Sequence, residues 1–191
     1  KFALPSSASL RKFVLLSTDA TKILSVNNFA AKNFIDYGSV ANQGDYVIIS
    51  HPLLYDDGSG NNNVEKYRAY RSSAQGGSFN GIIVNMDQLT DQFGYGVKHH
   101  PLSVRNFSAY ALAQFSVKPK YFFLIGKGLN YTAFRNHESS SAIGRQAMIP
   151  TFGFPSSDNL LTASRTGEYP LIPIGRLSAI TGNEVGVYLD K

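Results

Sequence analysis

Two unbroken apolar runs, each closed by a glycine, narrow the folds open to this chain: Tyr121-Phe122-Phe123-Leu124-Ile125-Gly126 and Pro170-Leu171-Ile172-Pro173-Ile174-Gly175. A strand with one wet face alternates apolar and polar residues. A strand without alternation is covered on both faces, as in the parallel sheets of α/β proteins. Asp45-Tyr46-Val47-Ile48-Ile49-Ser50 reads the same way before His51-Pro52 breaks it, and Phe79-Asn80-Gly81-Ile82-Ile83-Val84 supplies a fourth run. Between these runs the period changes. Val64, Tyr67, Ala69, Tyr70 and Ala74 lie near helical spacing and stop at Gly76-Gly77,. Asp87 opens a short helix as its N-cap, and Pro101 suits the first turn of a longer one with Val104, Phe107, Ala111, Leu112 and Phe115 on one face,. Residues 126–147 read as a long polar loop, with a short strand at Met148-Ile149-Pro150-Thr151-Phe152. The expectation is an α/β fold, a flavodoxin-like, doubly wound, mainly parallel sheet with strands near 45–50, 79–84, 121–125 and 171–174,.

Residues 1–44 have a different character. Arg11-Lys12-Phe13-Val14-Leu15-Leu16 and Thr21-Lys22-Ile23-Leu24-Ser25-Val26 are strand candidates joined by a Ser-Thr-Asp-Ala turn,. This β-rich lead-in reads as the end of a preceding β domain, with the α/β unit covering 45–191. From Thr181 to Lys191 there is a helix-start signal without a stop signal, so that unit reads as truncated, part of something longer,.

Composition excludes several functions. There is no cysteine, hence no disulfide, no thiolate metal site and no cysteine nucleophile within these residues,. The net charge of +5 comes from 18 scattered Lys and Arg, with no run longer than Arg11-Lys12, so a phosphate-binding surface for nucleic acid is not expected,. No apolar run approaches the roughly 20 residues of a membrane span.

Each candidate site has a competing structural reading. His51 stands at the C-terminal end of the first parallel strand, where open α/β sheets place ligands, yet the following proline favours a loop role,. His99 and His100 are adjacent, so on regular structure their side chains diverge, and His137 matches no zinc spacing,. Gly126-Lys127-Gly128 lacks the third glycine of a dinucleotide loop and has no helix signal after it,. Ser50, Ser156 and Ser157 have no nucleophile elbow around them,. Asp158, in a Pro-Ser-Ser-Asp-Asn loop, either caps its own turn or contributes to a calcium site,. No catalytic, cofactor-binding or metal residue is assigned.

Taken in order, these landmarks resemble the first half of the gingipain-like cysteine peptidases. They are Asp45 to Pro52, Tyr70-Arg71-Ser72, Asp91-Gln92-Phe93-Gly94-Tyr95-Gly96, Pro101 to Phe107, Tyr121 to Gly126, Ile149-Pro150-Thr151, Ser157-Asp158 and Ile174-Gly175-Arg176-Leu177. Asn27-Asn28-Phe29 is similar to the lead-in of the PorU-type sortases of the type IX secretion system. The resemblance implies a non-catalytic N-terminal subdomain on the extracellular or outer-membrane surface of a bacterium. Its partners would be the catalytic subdomain of the same parent chain and that parent's protein substrates. The catalytic histidine and cysteine would lie in the second half. It implies no cofactor beyond a structural calcium ion in the parent, and Lys127 stands where the family usually carries an aspartate. The alternatives are a stand-alone binding or scaffold module of a surface protein and a flavodoxin-like nucleotide or flavin enzyme lacking its phosphate loop.

Overall fold

The computed structural model describes residues 6–23, 28–137, 140–164 and 166–191. Contacts divide the chain into two units, 1–33 and 34–191. In the first, the strand expected at 11–16 does not form, and Phe13 to Leu16 are exposed. Apolar side chains favour a strand only where a neighbouring strand accepts its backbone groups. Ala20–Lys22 is a 3-10 turn in which the Asp19 side chain accepts the Thr21 amide at 3.0 Å. The end of the strand expected over 21–26 lies outside the described residues.

The second unit holds β1 (Tyr46–Ser50), α1 (Asn63–Ser72), β2 (Gly81–Asn85), α2 (Met86–Phe93), α3 (Leu102–Gln114), β3 (Tyr121–Ile125), α4 (Tyr131–Asn136), α5 (Ser141–Gln146), β4 (Ile174–Leu177) and α6 (Gly182–Leu189). The strands form one sheet in the order β2-β1-β3-β4, and every pair is parallel. That is the flavodoxin-like order expected from the unbroken apolar runs. All five residues of β1 are buried, as befits a central strand covered on both faces.

Alternation along β3 shows how the faces are filled. The Phe122 ring meets Phe107 of α3 at 6.1 Å, whereas Phe123 meets Tyr67 of α1 at 5.1 Å and Tyr188 of α6 at 6.3 Å. Neighbouring side chains on a strand point to opposite faces, so α1 and α6 cover one side and α3, packed on α2, the other. Residues 34–44 join this unit through Tyr37, buried against Phe107 at 5.1 Å, and Gln43, whose Oε1 accepts the Ser116 amide at 2.8 Å.

Several local expectations are corrected. The last strand starts at Ile174 rather than Leu171, because Pro170 and Pro173 have no N–H to donate,. The Pro173 carbonyl still accepts the Phe122 amide at 2.9 Å. The loop at 126–147 contains α4 and α5, opened by Asn130, which accepts the Ala133 amide at 2.7 Å, and by Ser140. Asn85, not Asp87, caps α2, accepting the Asp87 amide at 2.8 Å. No strand forms at 148–152; Thr151 makes an isolated bridge with Asn130, and Phe152 one with Ser157.

Candidate functional site

In open parallel sheets, ligands bind beyond the strands' C-terminal ends, where the strand order reverses. Here that edge lies beyond Ser50 of β1 and Ile125 of β3, which are paired neighbours. Ser50 is fully buried and donates its hydroxyl to the Ile125 carbonyl at 2.9 Å, so it ties two strands together and presents no nucleophile. The backbone of the Gly126-Lys127-Gly128 turn is also engaged. Gly126 donates to Leu177 O at 2.9 Å, Lys127 donates to Ala179 O at 2.8 Å, and the Lys127 carbonyl accepts the Ile149 amide at 3.1 Å. A phosphate cradle needs free amides aimed at one point, and those of Gly126 and Lys127 are committed to Leu177 at the end of β4 and to Ala179 just beyond it,. A helix does follow, contrary to the sequence reading, but only at Tyr131.

Asp158 stands at the N-cap of a 3-10 turn, but its side chain makes no cap hydrogen bond and its carboxylate is not free. Arg176, in β4, holds it through Nε to Oδ2 and Nη2 to Oδ1, each at 2.7 Å. The same guanidinium donates Nη1 to the Gly126 carbonyl at 2.7 Å and the Ile149 carbonyl at 2.9 Å, and Nη2 to the Pro150 carbonyl at 3.3 Å. One side chain therefore gathers the ends of β3 and β4, the 149–150 segment and the 158 loop. Sequence reasoning missed this residue. The available signal was a charged side chain standing inside an apolar strand motif.

His51 closes β1. Its Nδ1 accepts the Leu53 amide at 3.2 Å, which places the neutral ring's proton on Nε2, 3.9 Å from Asp87 Oδ1,. Burial lowers its pKa, and Asp87 opposes that shift. His99 and His100 do not diverge. A φ of 57° at His99 departs from regular structure. Both rings land on α4, His99 on Phe134 at 4.1 Å and His100 on Tyr131 at 4.8 Å. His99 Nδ1 bonds to the Ala147 carbonyl and His100 Nδ1 accepts the Leu102 amide at 3.1 Å. Burial lowers both pKa values. His137 ends α4, its Nδ1 3.0 Å from the Ala133 carbonyl. Ser156 is exposed, and the Ser157 amide donates to the Phe152 carbonyl at 2.8 Å. Among the described residues no group of three His, Asp or Glu could hold a metal ion.

The edge is thus a hydrogen-bonded scaffold of strand ends and loops, and this chain places no thiol on it. The family model of Peptidase family C25 matches residues 39–191, most of the chain and all four strands. The chain belongs to peptidase family C25. The gingipain-like resemblance carried by the strand runs and the Ile-Gly-Arg-Leu motif is therefore a family relationship. C25 peptidases are cysteine peptidases, typically secreted or at the cell surface. No curated protein and no solved structure gives a match. Among the described residues no helix is long and apolar enough to cross a membrane.

Proposed function

We propose that residues 45–191 form a non-catalytic N-terminal α/β subdomain of a gingipain-like cysteine endopeptidase. Its role is to support a catalytic subdomain carried elsewhere in the same protein. The observation that carries this reading is the missing nucleophile. The C25 match spans residues 39–191, yet the chain contains no cysteine. A cysteine–histidine mechanism requires a thiolate activated by an adjacent base. The histidines at the sheet's C-terminal edge support the same reading, since His51, His99 and His100 are each engaged with backbone or rings. The Asn27-Asn28-Phe29 lead-in favours the PorU-type sortases of type IX secretion, and with them the outer surface of a bacterium. The protein substrates belong to the parent peptidase. Residues 34–44 pack with the α/β unit, so a preceding domain would reach only the residues before them.

The test compares this chain with the same chain co-produced with the remainder of the parent protein. The chain alone should neither turn over peptide substrates nor take up a thiol-directed covalent inhibitor, while the pair should do both. Inhibitor-sensitive turnover by the chain alone defeats the reading. A pair that binds no inhibitor replaces it with the stand-alone scaffold module.

A further inference from the structure

At the opposite edge of the sheet, where β1 and β3 begin, a groove opens between the C-terminal turns of α1 and α6. Its volume is about 490 Å³, within the range of roughly 300–1,000 Å³ typical of small-ligand sites,. Lys66, Tyr67, Tyr70, Arg71, Tyr188 and Lys191 line it, and no acidic residue does.

Arg71 is the informative member. Its guanidinium lies 4.6 Å from the Tyr46 ring centroid and 4.8 Å from that of Phe79. Stacking on two rings holds the planar fork in place, but satisfies none of its N–H groups. The Arg71 Nε is buried and has no acceptor. No carboxylate among the described residues pairs with this side chain. Glu65 is held by Arg68, with Nε 2.8 Å from Oε2, and Asp45 by Lys120 at 2.8 Å. Arg71 lies in the last turn of α1, where the helix dipole favours a cation by about 0.3–1 kcal/mol,. That accounts for a positive charge there, and leaves the buried donor unanswered.

We propose that this groove binds a carboxylate carried on a flat apolar ring. The carboxylate sits on the Arg71 fork, and Lys66 and Lys191 add attraction from the rim. The ring of the ligand packs on Tyr67, Tyr70 and Tyr188, of which Tyr67 and Tyr188 already meet edge-on at 6.3 Å. A planar guanidinium matches a carboxylate in two bonds, which an ammonium cannot do. The groove and the C-terminal edge lie at opposite ends of the strands, so a titration of the groove is read separately from the peptidase test.

The test is a titration of the 191-residue chain with 4-hydroxyphenylacetate, followed by NMR at the Arg71 Nε–H and the backbone amides of α1 and α6. Saturable shifts at both are expected, at least about ten-fold weaker with 4-hydroxyphenylacetamide and in Arg71→Lys, which keeps the charge and loses the fork. The double variant Lys66→Gln/Lys191→Gln, at exposed positions, should weaken binding about two- to five-fold,. Should Arg71→Lys not fold, the double variant decides. The proposal fails if the acid gives no saturable shift, or if amide and acid bind alike. It also fails if inorganic phosphate binds as tightly as the acid, or if neither variant weakens binding.

Discussion

Arg176 and Asp158 form a two-pronged ion pair, both contacts 2.7 Å, that joins β4 to the loop before it at the sheet's C-terminal edge. The arginine side chain is 11% exposed and the aspartate 24%, so solvent screens the pair only partly. Arg176 also binds three backbone carbonyls, from Gly126, Ile149 and Pro150.

Arg176→Ala should therefore destabilise the protein by about 3–5 kcal/mol, because it strands a partly buried carboxylate and several carbonyls together. Arg176→Lys should lose about half of that, since an ammonium cannot span the same acceptors. Urea unfolding measures both, and a loss below about 1 kcal/mol for the alanine variant would show the cluster to be ornamental.

Two further glycines beside this cluster, Gly128 and Gly175, should respond in opposite ways. A Cβ on Gly128 would collide with the Ile149 carbonyl oxygen and lie 2.8 Å from Arg176 Nη1. Gly128→Ala should cost about 1–3 kcal/mol through overpacking. A Cβ on Gly175 would meet the Phe123 ring at 3.7 Å, an ordinary contact, so Gly175→Ala should be neutral or stabilising by up to about 1 kcal/mol,. Thermal midpoints that rank the two variants in reverse order would contradict this account.

Tyr37 is 4% exposed, its hydroxyl has no partner, and burial pushes its pKa up to about 12. Tyr37→Phe removes an unpaired buried hydroxyl and keeps the ring contacts with Phe93 and Phe107, so stability should hold or rise by about 1 kcal/mol,. Tyr67 is different, since its hydroxyl bonds to that of Tyr46 at 3.0 Å. Tyr67→Phe should cost about 1 kcal/mol. No difference between the two variants would show that the hydroxyl bond between Tyr67 and Tyr46 contributes nothing to stability.

Acid should weaken the fold before the carboxylates titrate. His51, His99 and His100 each have a folded-state pKa below the ordinary 6.5, with burial as the leading cause. The unfolded chain then binds more protons than the folded one as pH falls, and stability declines with it. The contribution is complete above about pH 6.5 and is lost as pH drops through the depressed folded values. The thermal midpoint should fall between pH 7 and pH 5, and His99→Gln should flatten that slope. A flat profile over this interval in the unsubstituted chain would rule the mechanism out.

The sequence alone determined the covered strands. Val47-Ile48-Ile49 and Phe122-Phe123-Leu124-Ile125 lack alternation, and only a sheet with helices on both faces buries such runs,. The same motifs, in order, were enough to place the family, because strand runs, caps and glycines are local signals that survive without their neighbours. Tertiary structure decided everything that depends on residues far apart in the chain. Asp158 looked like a turn cap or a calcium ligand until Arg176 arrived from 18 positions away to take both oxygens. His99 and His100 were expected to diverge, and both rings meet a helix that the sequence had hidden in a polar loop. The strand candidate at 11–16 had the right side chains, yet no strand forms there and Phe13 to Leu16 stay exposed. Propensity is written residue by residue, but a hydrogen-bond partner or ion pair is defined only when the folded backbone brings its two halves together.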